Sequence, residues 1–467
     1  MVFTSHIFLF YFLPLTLLGY YALPFRARNS FLTLAAWVFY GWHKPWFVLL
    51  MMYSTVVDYT AARIITAPGA SPRRRKATLA VAITNNLVLL AVFKYAMFAQ
   101  ENVNALLHLV GQQGFAILEV TLPIGISFYT FQTISYTVDV YWGTAPPARR
   151  FWDFTCFVAL FPHLIAGPIV RYNTIADQFV HREHSIDRFS SGVALFILGF
   201  AKKILLANPM GRIVESVFGV EGLSPLLAWT GVLAYAFQIY FDFSGYSDIA
   251  VGLGRMLGFE IPRNFNSPYR SESITEFWQR WHISLSSFLR DYLYYPLGGN
   301  RHGPRRAYLN LVLVMLLGGL WHGASWKFVL WGGYHGVFLA VERWRGRRGL
   351  YSMLPAPLPM LITFLLVLLA WVPFRAADLH QTGRYLAAMF GLGSSLPRAG
   401  LLAGEVFTLH NLVLLALCGL VVMLKRQAWD LARELRPLHL VPLLLLFVVA
   451  VAGMFTQAFN PFLYFQF

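Results

Sequence analysis

Residues 305–343 read Arg305-Arg306-Ala307-Tyr308-Leu309-Asn310-Leu311-Val312-Leu313-Val314-Met315-Leu316-Leu317-Gly318-Gly319-Leu320-Trp321-His322-Gly323-Ala324-Ser325-Trp326-Lys327-Phe328-Val329-Leu330-Trp331-Gly332-Gly333-Tyr334-His335-Gly336-Val337-Phe338-Leu339-Ala340-Val341-Glu342-Arg343. Arginines bound an apolar run, 307–342, that is barely long enough for two crossings of roughly 20 residues each. Cationic loops stay on the cytoplasmic side, so the run is expected to leave the cytoplasm at Arg306 and return at Arg343. Its turn should lie deep, or near the outer face of a thinned region. Broken helix at that depth is tolerated only inside protein or along a watery cavity.

The rest of the chain has the same character. Of its 467 residues 57% are hydrophobic, 17% aromatic and only 12% charged, against about 25% charged in a soluble domain. Further apolar runs cover 6–24, 29–43, 46–65, 77–99, 120–142, 190–207, 225–250, 357–374, 406–424 and 437–456. No linker separates two bodies and no internal repeat stands out, so one membrane domain, 1–467, is expected. The start, Met1 to His6, lacks a basic region and the run behind it lacks a small-residue cleavage site, so it reads as a retained first span. The net charge of +16 sits in short loops such as Arg73-Arg74-Arg75-Lys76 and Arg343 to Arg348. Membrane topology accounts for these clusters, and nucleic acid is not an expected partner. Cys156 and Cys418 are far apart in apolar runs, which argues against a disulfide framework or a zinc site built on cysteine pairs.

Parity orders the crossings. With 66–76, 301–306, 343–348 and 425–436 inside, three spans precede residue 66 and the N-terminus lies outside. Four spans separate 76 from 301 if 151–170, interrupted by Pro162, His163, Gly167 and Pro168, is re-entrant. The loop 208–224 and the C-terminal tail then lie outside.

Three clusters carry chemistry. His322 is an ionisable group inside an apolar run, which marks function by default; the flanking glycines let another group approach its imidazole. A neutral imidazole suits removal of a proton from an attacking hydroxyl. The plainer reading is a histidine bonded to a neighbouring helix. The second cluster runs from Phe277 to Ser286. Arg280, Trp281 and Arg290 would make a cationic, aromatic entry for a phosphorylated acyl donor such as acyl-coenzyme A, with His282 among them; an interfacial belt of Trp and Arg is the alternative. The third is Tyr240 to Asp248, where Asp242 with Tyr246, and Ser244 with Asp248, share helix faces. A supporting polar network is the simpler account of these carboxylates. His335 could back up His322. His181, His184 and Asp177 have a spacing that a metal could use, but solvated loop residues explain them, and no metal is expected. Nucleophile-elbow, Walker A and His-Glu-x-x-His motifs are absent.

Taken in order, Leu122-Pro123-Ile124-Gly125-Ile126-Ser127-Phe128-Tyr129, Phe161-Pro162-His163-Leu164-Ile165-Ala166-Gly167-Pro168, Tyr240 to Asp248, Trp278 to Ser286, Gly318 to Gly323 and Pro461-Phe462-Leu463-Tyr464-Phe465-Gln466-Phe467 resemble the membrane-bound O-acyltransferase (MBOAT) family, in its bacterial alginate O-acetyltransferase-like branch. The resemblance implies an all-α polytopic membrane fold, with roughly 10–12 transmembrane helices of ordinary span length. Re-entrant segments would surround a thin centre where two funnels nearly meet. It assigns the family's essential histidine to His322 and its second position to His282. It implies a protein of the bacterial inner membrane that takes acetyl from cytoplasmic acetyl-coenzyme A, binds no cofactor, and passes the group to a periplasmic partner of the SGNH-hydrolase type. The acceptor would be an extracytoplasmic polysaccharide such as alginate, or else peptidoglycan or cellulose. In D-alanylating relatives a small membrane peptide ends in a similar aromatic motif, which makes Tyr464, in the tail 460–467, an expected acyl relay. Two rivals of other classes are a secondary transporter, which an inverted repeat would favour, and a non-catalytic scaffold for polymer export, in which His322 would be dispensable.

Overall fold

The computed structural model describes residues 1–346, 349–393 and 398–457. Tyr464 and the tail from Asn460 lie outside the described residues. The described chain is helical: six helices are long and apolar enough to cross a membrane, seven if the bent pair Gly400–Val406 and Leu409–Met423 is one crossing. The other elements are shorter or carry more polar residues. The chain is a polytopic, all-α membrane protein.

It packs as two compact units. The first holds Met1–Val193 and Ala250–Pro262; the second holds Ala194–Ile249 and the chain from Arg263 onward. In the first unit lie α1 (Leu13–Ala22), α2 (Phe25–Gly41), α3 (Trp46–Ile65), α4 (Pro72–Leu90, continuing as helix to Leu109), α5 (Ile126–Trp142) and α6 (Phe151–Ala159). A buried polar network ties α3, α4 and α5. Asp58 accepts from Asn86 Nδ2 at 2.8 Å and from Thr137 Oγ1 at 2.9 Å, and Thr133 Oγ1 donates to Asn86 Oδ1 at 3.2 Å. Every member of that network has a partner, as a carboxylate away from water requires. The run 120–142 becomes helix only at Ile126, because Gly125 adopts a left-handed conformation, φ 78°, in the preceding turn. A Cβ there would meet the carbonyl oxygen of Leu164 at 2.9 Å. The re-entrant reading of 151–170 agrees with the structure: α6 has 9 residues and the chain from Phe154 to Val170 is buried. At about 1.5 Å per residue such a helix cannot cross alone.

The remaining helices are α7 (Ile186–Ala201), α8 (Asn208–Phe218), α9 (Pro225–Met256), α10 (Ile274–Arg280), α11 (Ile283–Leu289), α12 (Gly303–His322), α13 (Trp326–Trp344), α14 (Leu358–Arg375), α15 (Leu379–Met389), α16 (Leu409–Met423) and α17 (Leu440–Thr456). The stretch 276–297 does not cross: α10 and α11 have 7 residues each. The two limbs of the opening hairpin, α12 and α13, are longer than the apolar run allowed, at 20 and 19 residues. They extend past the apolar residues at both ends, so Arg305 and Arg306 lie in the first turn of α12. The connection is only Gly323 to Ser325.

Candidate active site

The hairpin is held by glycine. A Cβ on Gly319 would overlap the carbonyl oxygen of Phe328, and one on Gly332 would overlap that of Met315. Small residues let α12 and α13 approach backbone to backbone. That close packing presents His322, the last residue of α12, beside the second limb. His322 packs edge-on to Trp331 and Phe374, with ring centroids 5.1 and 5.2 Å away, and 5.0 Å from its neighbour Trp321. Only 8% of it is exposed.

His282 is fully buried and its ring centroid lies 6.5 Å from that of His322. Phe243 and Trp321 close the sides, at 4.6 and 6.2 Å. Its backbone is left-handed, φ 44° and ψ 53°, at the N-terminus of α11. There its own Nδ1 accepts from the backbone N–H of Leu285 at 3.4 Å. An accepting Nδ1 places the proton of the neutral ring on Nε2. The neutral His282 ring thus carries its proton as an N–H donor on Nε2, with the His322 ring 6.5 Å away between centroids.

Glu342, buried near the end of α13, receives the backbone N–H groups of Ile274 and Thr275 at 2.8 Å each, and Thr275 Oγ1 at 2.6 Å. A carboxylate at a helix N-terminus meets unsatisfied donors and the positive end of the dipole. It pins α10, which leads to His282, to the limb that follows His322. Sequence reading passed over Glu342 because it looks like a charge flanking a basic loop.

The other expected residues fall as follows. Arg280 is 2.7 Å from Glu276 and also donates to Asn266 O at 3.3 Å. Arg290 pairs with Asp291 at 2.7 Å, its side chain 56% exposed. Trp281 is buried and stacks on Phe277 at 5.6 Å. Asp242 pairs with Lys203 at 2.7 Å and Asp248 with Lys202 at 2.6 Å. The consecutive lysines come from a π-helical turn, Lys202–Ala207. Tyr246 is buried on α9, the helix that also carries Asp242 and Asp248. His335 is fully buried between Trp331 and Trp278, at 5.0 and 5.2 Å, and neither of its ring nitrogens has a hydrogen-bond partner among the described residues. Trp331 therefore touches both His322 and His335. Among the described residues no group of three His, Cys, Asp or Glu side chains is placed to hold a metal ion, His184 with His181 and Asp177 included. His184 Nε2 lies 2.8 Å from the Tyr20 hydroxyl, and burial together with Arg28 and Arg182 holds its pKa below the ordinary 6.5. A cavity of about 740 Å³, lined by Leu198, Lys202, Leu414 and Gln427 among others, contains neither histidine of the pair.

A helical membrane body with two facing histidines enclosed by aromatic rings describes a class of intramembrane enzyme. Residues 149–353, which include both histidines, match the model of the membrane-bound O-acyltransferase family. The chain is 44% identical over its whole length, and the whole of the relative's, to a protein named probable alginate O-acetylase AlgI from Azotobacter vinelandii. It is 48% identical over 88% of its length to one of the same name from Pseudomonas aeruginosa, covering 79% of that protein. It is 38% identical over 84% of its length to a peptidoglycan O-acetyltransferase of Helicobacter pylori, covering 80% of it. The chain belongs to the membrane-bound O-acyltransferase family. It is a multi-pass membrane acyltransferase.

Proposed function

We propose that the enzyme takes acetyl groups from acetyl-coenzyme A on the cytoplasmic side of a bacterial inner membrane and delivers them outward. A periplasmic SGNH-type partner would then esterify an extracytoplasmic polysaccharide, with alginate as the first acceptor to test. The enclosed pair His322 and His282 carries this reading. His322 removes the proton of an attacking hydroxyl, carried by the periplasmic partner or by Tyr464 as an acyl relay, which then holds the acetyl group as an ester until the polymer takes it. The new C–O bond forms at the thioester carbonyl, the C–S bond breaks, and coenzyme A thiolate leaves with the proton that His322 returns. His282, with its proton on Nε2, donates to the negative oxygen that develops between those events, the kind of preorganised donor that stabilises such charge. Names of relatives with opposite acceptors, alginate and peptidoglycan, leave the polymer as the point to measure.

The test is acetyl transfer from labelled acetyl-coenzyme A in membranes, together with ester content of alginate and peptidoglycan in cells. His322→Ala, inserted at normal level, is expected to lose ~10²–10⁴ in rate, the usual worth of a general base. Wild-type transfer by that variant would end the catalytic assignment. Ester lost from peptidoglycan and not from alginate would move the acceptor without touching the mechanism.

A further inference from the structure

The left-handed conformation of His282 needs a cause, and the chain around Asn264, well upstream, supplies one. Asn264 is 2% exposed. Its backbone carbonyl accepts from Ile283 N at 2.9 Å. Its side-chain Oδ1 accepts from Ser284 N at 3.1 Å and from Ser284 Oγ at 2.8 Å. Leu285 N is taken by His282 Nδ1. The first amides of a helix have no partners within it. Here the first three of α11 are all satisfied, two by Asn264 and one by the ring of His282. On the other side of His282, Asn266 N donates to Arg280 O at 2.9 Å. Asn264 and Asn266 thus grip the chain on both flanks of the histidine. Asn264 Nδ2 points to Ser247 Oγ, 3.4 Å away on α9, which links the grip to the Tyr240–Asp248 cluster.

We propose that Asn264 is a positioning residue. It holds the α11 N-terminus so that His282 keeps its left-handed backbone and its Nδ1-accepting ring. The Nε2 proton then stays in the enclosure beside His322. This rests on the assigned role of His282. The part that Asn264 must supply is an acceptor at Oδ1, because Ser284 N and Oγ both donate there. Asp supplies the same acceptor in the same shape, and negative charge is favourable at a helix N-terminus. Ala supplies nothing and leaves a buried N–H unsatisfied.

The experiment compares Asn264→Ala, Asn264→Asp, His282→Ala and the double variant Asn264→Ala/His282→Ala in membranes, with acetyl-coenzyme A as donor. Each is checked for accumulation and for a monodisperse profile after extraction. Asn264→Ala is expected to lower kcat, up to about 10²-fold for a misplaced group, with the KM for acetyl-coenzyme A unchanged. Asn264→Asp is expected to retain most of kcat. The double variant should be no slower than His282→Ala, since residues acting as one unit are not additive. Multiplied losses in the double variant would overturn the positioning role, as would wild-type kcat in Asn264→Ala alongside a slow His282→Ala. Should Asn264→Ala fail to accumulate, Asn264→Asp still decides: full accumulation with lost activity overturns the proposal. Wild-type transfer by His282→Ala would instead remove the role of His282 on which it rests.

Discussion

At His282 three demands meet in one side chain. The backbone is left-handed, the side chain accepts from Leu285 N, and in the proposed mechanism the other end donates. A non-glycine residue in that conformation costs about 1–2 kcal/mol, with Asn and Asp the usual exceptions because they bond locally. Asn also caps helices well. Its Oδ1 can accept from Leu285 N while its Nδ2, which takes the place of the ring's Cδ2, keeps an N–H on the same side but one bond short of Nε2, so His282→Asn is expected to keep part of the transfer rate. His282→Gln places its amide one methylene too far for the cap and is expected to fall with His282→Ala. Rates of the three variants in membranes check this, and equal loss in all three would show that the imidazole itself is needed. The burial of His322 was legible in the sequence, because it is an ionisable group set inside an apolar run. Asn264 was not, since it acts on backbone amides 20 residues away and its own neighbourhood, Pro262 to Pro268, reads as a plain turn.

Among the elements, the α12–α13 hairpin depends on which glycine faces the partner limb. Gly332 and Gly333 are adjacent in sequence but differ in surroundings. A Cβ on Gly332 would overlap the backbone carbonyl of Met315, which cannot step aside without separating the helices. A Cβ on Gly333 would lie 3.4 Å from Leu316 Cδ2, an ordinary contact with a movable methyl. Gly332→Ala is therefore expected to reduce the fraction extracted as monodisperse protein and to abolish transfer by displacing Trp331 from His322. Gly333→Ala is expected to behave as wild type, aided by the better helix propensity of Ala. Size-exclusion profiles and transfer assays on both variants decide it; equal tolerance would mean that the limbs can separate without consequence. The glycine stripe itself was plain from the sequence. The length of the limbs was not, because Pro304 to Arg306 read as loop and only the fold shows them as the first helical turn. A similar limit misplaced the start of α5: Pro123 to Gly125 is apolar, and apolarity alone does not distinguish a turn buried in protein from a span.

For the molecule as a whole, the parity of basic loops predicts which segments share a side, and polar contacts agree with it. The segment 208–224, expected as a loop but helical as α8 up to Phe218, and the stretch from the end of α14 to α16 are both assigned outside. They are joined by Arg375–Glu215 at 2.7 Å, by Ser216 Oγ donating to Glu405 at 2.9 Å, and by the pair Arg384–Glu221. On the side assigned to the cytoplasm, Gln427 Nε2 donates to Ser267 Oγ at 2.7 Å, and Arg75 donates to Tyr141 O at 3.3 Å. An order of crossings can be argued from sequence because charge is read there directly; the division into two compact units cannot, because it depends on which helix faces pack together. Labelling can test the sidedness. Cys156 and Cys418 are both fully buried, so new surface cysteines will report alone. Glu221→Cys, Arg73→Cys and Arg426→Cys all replace exposed residues. The ion pairs lost, Glu221 with Arg384 and Arg426 with Glu434, are of the exposed kind worth about 0–1 kcal/mol. In spheroplasts a membrane-impermeant maleimide is expected to modify Glu221→Cys at once. Arg73→Cys and Arg426→Cys should react only after the membrane is opened. Labelling of Arg73→Cys or Arg426→Cys in closed spheroplasts would reverse the assignment, and with it the proposed direction of acetyl transfer from inside to outside.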